Sequence, residues 1–135
     1  MIQKVCVFVF KKTMRGYEFL LLRRPKEHGD MWQPITGHLK KGERYLDGAK
    51  REVFEETGLK DIVRIIDPEK SIQFKHGGKS YNETVLGFEF SGNTEKIKLS
   101  DEHRNYSWAN KDTALALLYW DNNKEALISV SDKIK

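Results

Sequence analysis

The sequence predicts a mixed α/β sandwich in which helices pack against a sheet. Short apolar segments rich in β-branched residues recur along the chain, and one long amphipathic helix at residues 45–57 lies among them. Two further helical patterns end the sequence. Strands with an embedded helix and helices at the end are typical of this fold class. At 135 residues the chain fits one domain spanning residues 1–135.

The first half of the chain is predicted to begin with a β-hairpin. The apolar run from Val5 to Phe10 is too short for a signal peptide or a membrane span and suits a buried strand. Pro25 and Gly29 mark a polar loop after the hairpin, and Gly58 stops the long helix. The predicted elements are a strand at 4–10, a turn at 13–16, a strand at 17–22, a loop at 23–31, an extended piece at 32–35 and the helix at 45–57.

The second half is predicted to contain a second hairpin and two closing helices. His76-Gly77-Gly78 supplies the hairpin turn, and either Asn110 or Asp112 caps the first closing helix. No repeat or linker composition marks a domain boundary. The predicted elements are a strand at 62–66, hairpin strands at 71–75 and 81–90, a loop at 93–100, a strand at 106–109 and helices at 112–119 and 122–130.

Composition and charge exclude several classes of function. The net charge is +4, but the basic residues are scattered and form no run interleaved with aromatic residues, so we expect no nucleic-acid partner. Cys6 has no second cysteine to pair with and lies in an apolar run, so it is expected to be a buried thiol. We expect a cytoplasmic protein with no membrane partner.

Three glutamates share one edge of the long helix. At about 100° per residue, Glu52, Glu55 and Glu56 fall within an arc of roughly 100°. A separate apolar stripe is available to anchor the helix, and Glu55 and Glu56 are expected to face a cleft open to solvent. Carboxylates this crowded repel one another unless a positive charge lies among them. A hard divalent cation bound through oxygen, Mg²⁺ or alternatively Mn²⁺, fits this arrangement.

The segment from Gly37 to Leu59 resembles the Nudix box. It matches the pattern Gly-x5-Glu-x7-Arg-Glu-apolar-x-Glu-Glu-x-Gly-apolar at every defined position. The resemblance implies a hydrolase that cleaves a pyrophosphate linkage in a nucleoside diphosphate joined to another group X. It also implies an α/β/α sandwich around a central mixed sheet, in which the box forms a loop, a helix and a second loop.

The chemistry and the resemblance together suggest roles within the box. The three helix glutamates are expected to bind the metal, with Glu52 and Glu55 also catalytic, and the resemblance adds the backbone carbonyl of Gly37. Glu43 is either an outer ligand of the metal or an acceptor that stabilises the fold. Arg51 either orients a catalytic carboxylate, with Glu55 one turn away, or forms a surface ion pair.

A late acidic residue, Glu102, is expected to complete the site. It lies shortly before Tyr106-Ser107-Trp108, and members of the family often carry a carboxylate in such a loop, where it binds the metal or acts as the base. Asp101 is the neighbouring competitor, and a polar loop residue without a role is the remaining alternative. The general base is left open between Glu102 and a box glutamate.

Residues that precede the box are expected to contact the substrate. Arg23 and Arg24 follow a strand, and because side chains alternate, one of them is expected to bind a substrate phosphate. Trp32 is either core packing or a platform on which a base stacks. The segment Trp32-Gln33-x-x-Thr36-Gly37 resembles the dihydroneopterin triphosphate and dATP pyrophosphohydrolase subgroup, as does the Glu-His pair at 102–103.

This second resemblance implies that Trp32, Gln33 and Thr36 bind a nucleoside or pterin triphosphate, which is cleaved to a monophosphate and pyrophosphate. ADP-ribose hydrolases typically have a proline where this chain has Phe74, and dinucleoside polyphosphate hydrolases have a tyrosine earlier than Tyr81. Both substrates remain alternatives, as does house-cleaning of non-standard nucleotides. A nucleotide-sensing module is the non-enzymatic alternative. The sequence leaves monomer and homodimer open.

Overall fold

The fold is organised around its first strand, β1 (Ile2–Thr13). In a computed structural model, which describes residues 1–91 and 97–134, β1 pairs in parallel with one strand and antiparallel with two others. The other elements are β2 (Gly16–Arg23), β3 (Trp32–Gln33), β4 (Ile35–His38), α1 (Tyr45–Thr57), β5 (Ile62–Ile66), β6 (Ser71–His76), β7 (Lys79–Phe90), β8 (Asn105–Ala109), α2 (Lys111–Leu117) and α3 (Asp121–Ser131). The strands form one mixed sheet.

On each side of β1, the sheet divides into two branches. On one side, β4 pairs with residues 4–7 of β1, whereas β2 pairs with residues 10–13. On the other side β7 runs parallel to β1, and β6 and β5 pair with opposite halves of β7. Because β4 and β2 pair with different halves of β1, a cleft opens between β4 and β2. The Nudix box begins at the edge of this cleft, with Gly37 in β4.

β1 is buried on both faces because alternate side chains enter two separate cores. The odd-numbered residues from Val5 to Val9 pack with α1, and the even-numbered residues from Cys6 to Phe10 pack with α2 and α3. All six are fully buried, and each such apolar side chain contributes about 1.5–3 kcal/mol on burial. The helices therefore cover both faces of the sheet, which confirms the predicted α/β/α sandwich.

Helix α1 has the bounds that the sequence predicts. Gly58 follows it with a left-handed φ of 78°, and its N–H donates to the carbonyl of Phe54 at 2.8 Å. Ala49 and Val53 anchor the helix on the sheet. Within the described residues, none of the helices has the length and apolar character needed to cross a membrane.

The second hairpin and the cap of α2 also follow the sequence. Gly77 and Gly78 both have positive φ, which gives the tight two-residue turn that joins β6 to β7. The side chain of Asn110, rather than Asp112, caps α2 by accepting a 2.8 Å hydrogen bond from the N–H of Thr113.

Several predicted elements were wrong in their extent. The extended piece at 32–35 is divided into β3 and β4, because Pro34 has no N–H to continue a ladder. The polar loop at 23–31 contains a 3-10 turn at Lys26–His28, and the first closing helix ends at Leu117 instead of residue 119. The predicted loop at 93–100 lies partly outside the described residues, and residues 97–100 have no regular secondary structure.

Gly87 allows β7 and α3 to pack closely. A methyl group there would lie 2.6 Å from Val130 Cγ1 and 3.3 Å from Phe10 Cε1. Gly87→Ala is therefore expected to lower the free energy of unfolding by about 1–3 kcal/mol, measured by urea denaturation. Adding Val130→Ala should recover part of the loss, because it vacates the space that the new methyl group needs. Strictly additive losses would contradict this packing.

Candidate active site

Arg51 gathers the acidic residues of the box on α1. Its Nε and Nη2 each donate to Glu43 at 2.9 Å, so Glu43 is the bidentate partner. Nη1 donates to Glu52 at 2.8 Å and makes longer contacts of 3.3 and 3.4 Å with Glu55, and Nη2 also reaches the carbonyl of His38 at 3.0 Å. The guanidinium therefore joins the end of β4 to the acidic edge of α1.

Glu43 is held firmly in the loop before α1. Besides the two bonds from Arg51, its Oε1 accepts a 3.0 Å hydrogen bond from the N–H of Lys40. The bonds from Arg51, followed by the one from Lys40, lower the pKa of Glu43 to about 2. Both carboxylate oxygens take part in these contacts, so Glu43 serves here as the acceptor that fixes Arg51.

Gly37 makes room for the carboxylate of Glu52. A β-carbon at position 37 would overlap that carboxylate, so a larger residue would force Glu52 away. Glu52 is 9% exposed, and burial raises its pKa against the opposing effect of Arg51. Repulsion from Glu55 and Glu56 raises the pKa further. The three helix carboxylates are therefore close enough to act on one another, as their spacing predicts.

Glu56 belongs to a second cluster, and the expectation that its side chain faces open solvent was wrong. Only 4% of Glu56 is exposed, because Ser100 and His103 fold over it. Ser100 Oγ donates to Glu56 Oε2 at 2.7 Å, and His103 Nδ1 lies 2.9 Å from the same oxygen. On the far side of the ring, Gln33 Nε2 lies 2.9 Å from His103 Nε2. Since an amide nitrogen only donates, His103 Nε2 accepts and Nδ1–H donates to Glu56.

Glu102 approaches this second cluster from the late loop. Ligand atoms of Glu56, Glu102 and His103 all lie within 4.8 Å of one another. The hydrogen bond to Glu56 raises the pKa of Glu102, with further repulsion from Glu56 and Glu52. For Glu56, burial alone would raise the pKa, but the hydrogen bonds from His103, Ser100 and Glu102 outweigh it and lower the pKa. Two carboxyl groups this close need a proton or a cation between them.

The four glutamates fit a divalent cation. Carboxylate oxygens from Glu52, Glu56 and Glu102 act on one another electrostatically, and Glu55, whose side chain is 51% exposed, borders the same edge. Hard oxygen donors of this kind suit Mg²⁺ or Mn²⁺. Because a β-carbon at position 37 would overlap the carboxylate of Glu52, the backbone of residue 37 lies beside the same group.

Arg24 and Arg23 have different surroundings. Arg23 pairs with Asp30 at 3.1 Å, and its guanidinium lies 5.5 Å from the centre of the Trp32 ring. Arg24 lines the cleft, and within residues 1–91 and 97–134 its buried Nε has no hydrogen-bond partner. Because Arg24 lines the cleft and has no ion pair among the described residues, its guanidinium is suited to an anionic ligand.

The cleft has two compartments, which share Lys4, Arg24, Gln33 and Thr36. The acidic compartment, of about 470 Å³, contains Gly37, Glu52, Asp101, Glu102 and His103. The aromatic compartment, of about 460 Å³, contains Phe74, Glu83, Trp120 and Asn123 and lies where β6 and β7 meet the start of α3. Each has the size of a small-molecule site.

Six of the twelve predicted site residues line this cleft. Gln33 and Thr36 line both compartments, whereas Trp32 packs against the core on the side of α2 and α3. Sequence reasoning missed the aromatic compartment, because its residues come from segments that are distant from one another in the sequence. It also missed the role of His103 as a support for Glu56, although its position next to Glu102 was an available signal.

Comparisons with known proteins agree with this geometry. Residues 2–129 match the family model of the NUDIX domain. The chain is 31% identical to the asymmetrical bis(5'-nucleosyl)-tetraphosphatase of Rattus norvegicus, over 82% of the chain and 76% of that protein. It is 29% identical to the dihydroneopterin triphosphate diphosphatase of Escherichia coli (strain K12), over 80% of the chain and 79% of that protein.

Two further comparisons bear on length and fold. An octanoyltransferase of Myxococcus xanthus is 32% identical over 91% of the chain, but the chain spans only 35% of that protein. The crystal structure of an Ap4A hydrolase binary complex from C. elegans superposes with a TM-score of 0.84 at 21% identity, covering 98% of this chain and 96% of that one. From the family match and the arrangement of the box carboxylates, the chain belongs to the Nudix family, whose hydrolases act on phosphoanhydride bonds.

Proposed function

We propose that this hydrolase cleaves a nucleoside or pterin triphosphate to a monophosphate and pyrophosphate. The observation that carries the proposal is the connection of the acidic compartment to the aromatic compartment through Arg24, which lines both and has no ion pair within the described residues. A substrate that spans both would place its ring in the aromatic compartment and its phosphates beside Arg24 and the glutamates. The similarity to dihydroneopterin triphosphate diphosphatase supports this substrate class.

The contacts of the site suggest a role for each group. Arg51 holds Glu52 in place, and His103 and Ser100 hold Glu56, so both carboxylates are oriented before substrate binds. Nudix hydrolases use a divalent metal, and we propose Mg²⁺, with Mn²⁺ as a substitute, held by Glu52, Glu55, Glu56, Glu102 and the carbonyl of Gly37. When bound, the cation neutralises charge on the phosphate oxygens and lowers the pKa of a bound water.

Glu102 is proposed as the general base. In the reaction a water oxygen bonds to a phosphorus, the bond from that phosphorus to the bridging oxygen breaks, and Glu102 accepts the proton of the water. Glu102 is exposed and lies in a loop, so it is free to exchange its contact with Glu56 for one with water. Arg24 would bind a phosphate, and Gln33 and Thr36 would contact the substrate at the junction.

A dinucleoside polyphosphate is the second candidate substrate. The tetraphosphatase of Rattus norvegicus supports it. In addition, Phe74 and Tyr81 stack with ring centres 5.1 Å apart at 13°, which gives an aromatic surface beside the cleft on which a second base could stack. ADP-ribose and non-standard nucleotides are less favoured, because no feature of the described residues selects them.

A substrate panel tests the proposal. Nucleoside triphosphates, dihydroneopterin triphosphate, Ap4A and ADP-ribose are incubated with the enzyme and Mg²⁺, and the products are separated by chromatography. We expect pyrophosphate and a monophosphate as products, the highest kcat/KM for a triphosphate, and no activity in EDTA until Mg²⁺ is restored. If Ap4A gives the highest kcat/KM, the second candidate replaces the first.

Substitution of Glu102 tests its role as base. Glu102→Gln should lower kcat by about 10²- to 10⁴-fold, because the amide cannot accept the proton of the water. Asp101→Asn, at the neighbouring cleft position, is the matched control and should change kcat only slightly. Rescue of Glu102→Gln by excess Mg²⁺ would limit the role of Glu102 to metal binding, and an unchanged kcat would show that Glu102 takes no part in the chemistry.

Removal of the Arg24 guanidinium should weaken substrate binding. Arg24→Ala is expected to lower kcat/KM by about 10- to 100-fold, the effect of losing one charge-assisted hydrogen bond, mainly through KM. Arg15→Ala, an exposed arginine in the turn after β1, controls for the loss of one positive charge. Equal kcat/KM in the two variants would show that Arg24 does not contact the substrate.

A further inference from the structure

We propose that Glu83 selects substrates whose ring carries an N–H beside an exocyclic amino group, as guanine and pterins do. The inference rests on the proposed function, since it concerns the ring of the same substrate. It goes further by naming the ring edge that the aromatic compartment recognises and the residue that recognises it.

Glu83 lies deep in the wall of the aromatic compartment. It is on β7 opposite Lys4 of β1, and the next residue on the same face, Val85, is in the core. Glu83 is 5% exposed, yet it lines the compartment. A carboxylate at this depth is costly to bury unless its oxygens accept hydrogen bonds, so the position of Glu83 indicates that a hydrogen-bond donor binds there.

The contacts of Glu83 leave most of its acceptor capacity free. Within residues 1–91 and 97–134, its recorded partner is Lys4, whose Nζ lies 3.5 Å from Oε2. This distance is well beyond the 2.7–2.9 Å that is typical of a charge-assisted hydrogen bond. Burial raises the pKa of Glu83, and Lys4 opposes the rise by favouring the carboxylate. An ionised carboxylate accepts up to about four hydrogen bonds, so two adjacent N–H groups can be accommodated.

The chemistry of the ring edge decides which substrates fit. Guanine and pterins present a ring N–H next to an amino group, which are two parallel donors that match the two oxygens of a carboxylate. Adenine presents one amino group beside an acceptor nitrogen, and that nitrogen would face a carboxylate oxygen. Hypoxanthine keeps the ring N–H but lacks the amino group. The carboxylate of Glu83 therefore discriminates between rings in two ways. It attracts the two adjacent donors of guanine and pterins, and it repels the acceptor nitrogen of adenine.

The remaining walls suit a flat bicyclic ring. Phe74 and the half-exposed Trp120 line the compartment, and Tyr81 stacks behind Phe74 and fixes the plane of its ring. The buried amide of Asn123, at the start of α3, is also in the wall and carries N–H groups suited to the oxo group of such a ring. These side chains bind the faces and the oxo group, and Glu83 binds the donor edge.

The test is calorimetric binding of GMP, IMP, AMP and dihydroneopterin monophosphate without metal. We expect the wild type to bind GMP or dihydroneopterin monophosphate about 10- to 100-fold more tightly than IMP or AMP. The tighter binder of GMP and dihydroneopterin monophosphate identifies the ring that the compartment recognises. Glu83→Gln, which keeps the shape of the side chain, should reduce this preference to within a few-fold. Glu125→Gln, an exposed glutamate of α3 paired with Lys70, is the matched control and should keep it.

The inference would be overturned by equal affinities in the wild type, by an unchanged preference in Glu83→Gln, or by no binding at millimolar concentration. A preference for AMP would also overturn it, because Glu83 would then act as a protonated donor. The proposed function fails separately, if no triphosphate is hydrolysed. Because binding is measured with monophosphates and without turnover, a Glu83-dependent preference would survive that failure.

Discussion

One guanidinium holds the acidic site together. Arg51 contacts Glu43, Glu52, Glu55 and the carbonyl of His38, so a single side chain of α1 ties the end of β4 to the helix. Without a positive charge the carboxylates of the box would repel one another and separate. Arginine stays protonated at every pH at which an enzyme works, so the site is assembled before a substrate or a cation arrives.

The acidic residues are divided between two supports. Arg51 organises the side of the site next to Gly37, whereas Ser100 and His103 organise Glu56 on the other side. The second support comes from a loop late in the chain and is itself braced by Gln33 at the end of β3. This division explains why Glu56 is buried while Glu55 stays exposed, although both lie on the same edge of α1.

The forked sheet gives the enzyme its cleft. Since β4 and β2 pair with different halves of β1, the strand ends that follow them separate and leave space for a substrate. The acidic compartment forms on the side of α1, and the aromatic compartment forms between the sheet and α3. Arg24 lies at the junction of the two. The fold therefore places a positive charge between the acidic compartment and the aromatic compartment.

The sequence by itself determined the features that depend on neighbouring residues. The bounds of α1, its end at Gly58, the Gly77-Gly78 turn and the family all follow from periodicity, backbone preference and one contiguous motif. Only the tertiary structure decided that Arg24 lines the cleft while Arg23 pairs with Asp30, and that Glu56 is buried. It also decided the place of Glu83. These depend on contacts between segments distant in the sequence, and strand pairing, which sets the face of each side chain, is not encoded in any local pattern.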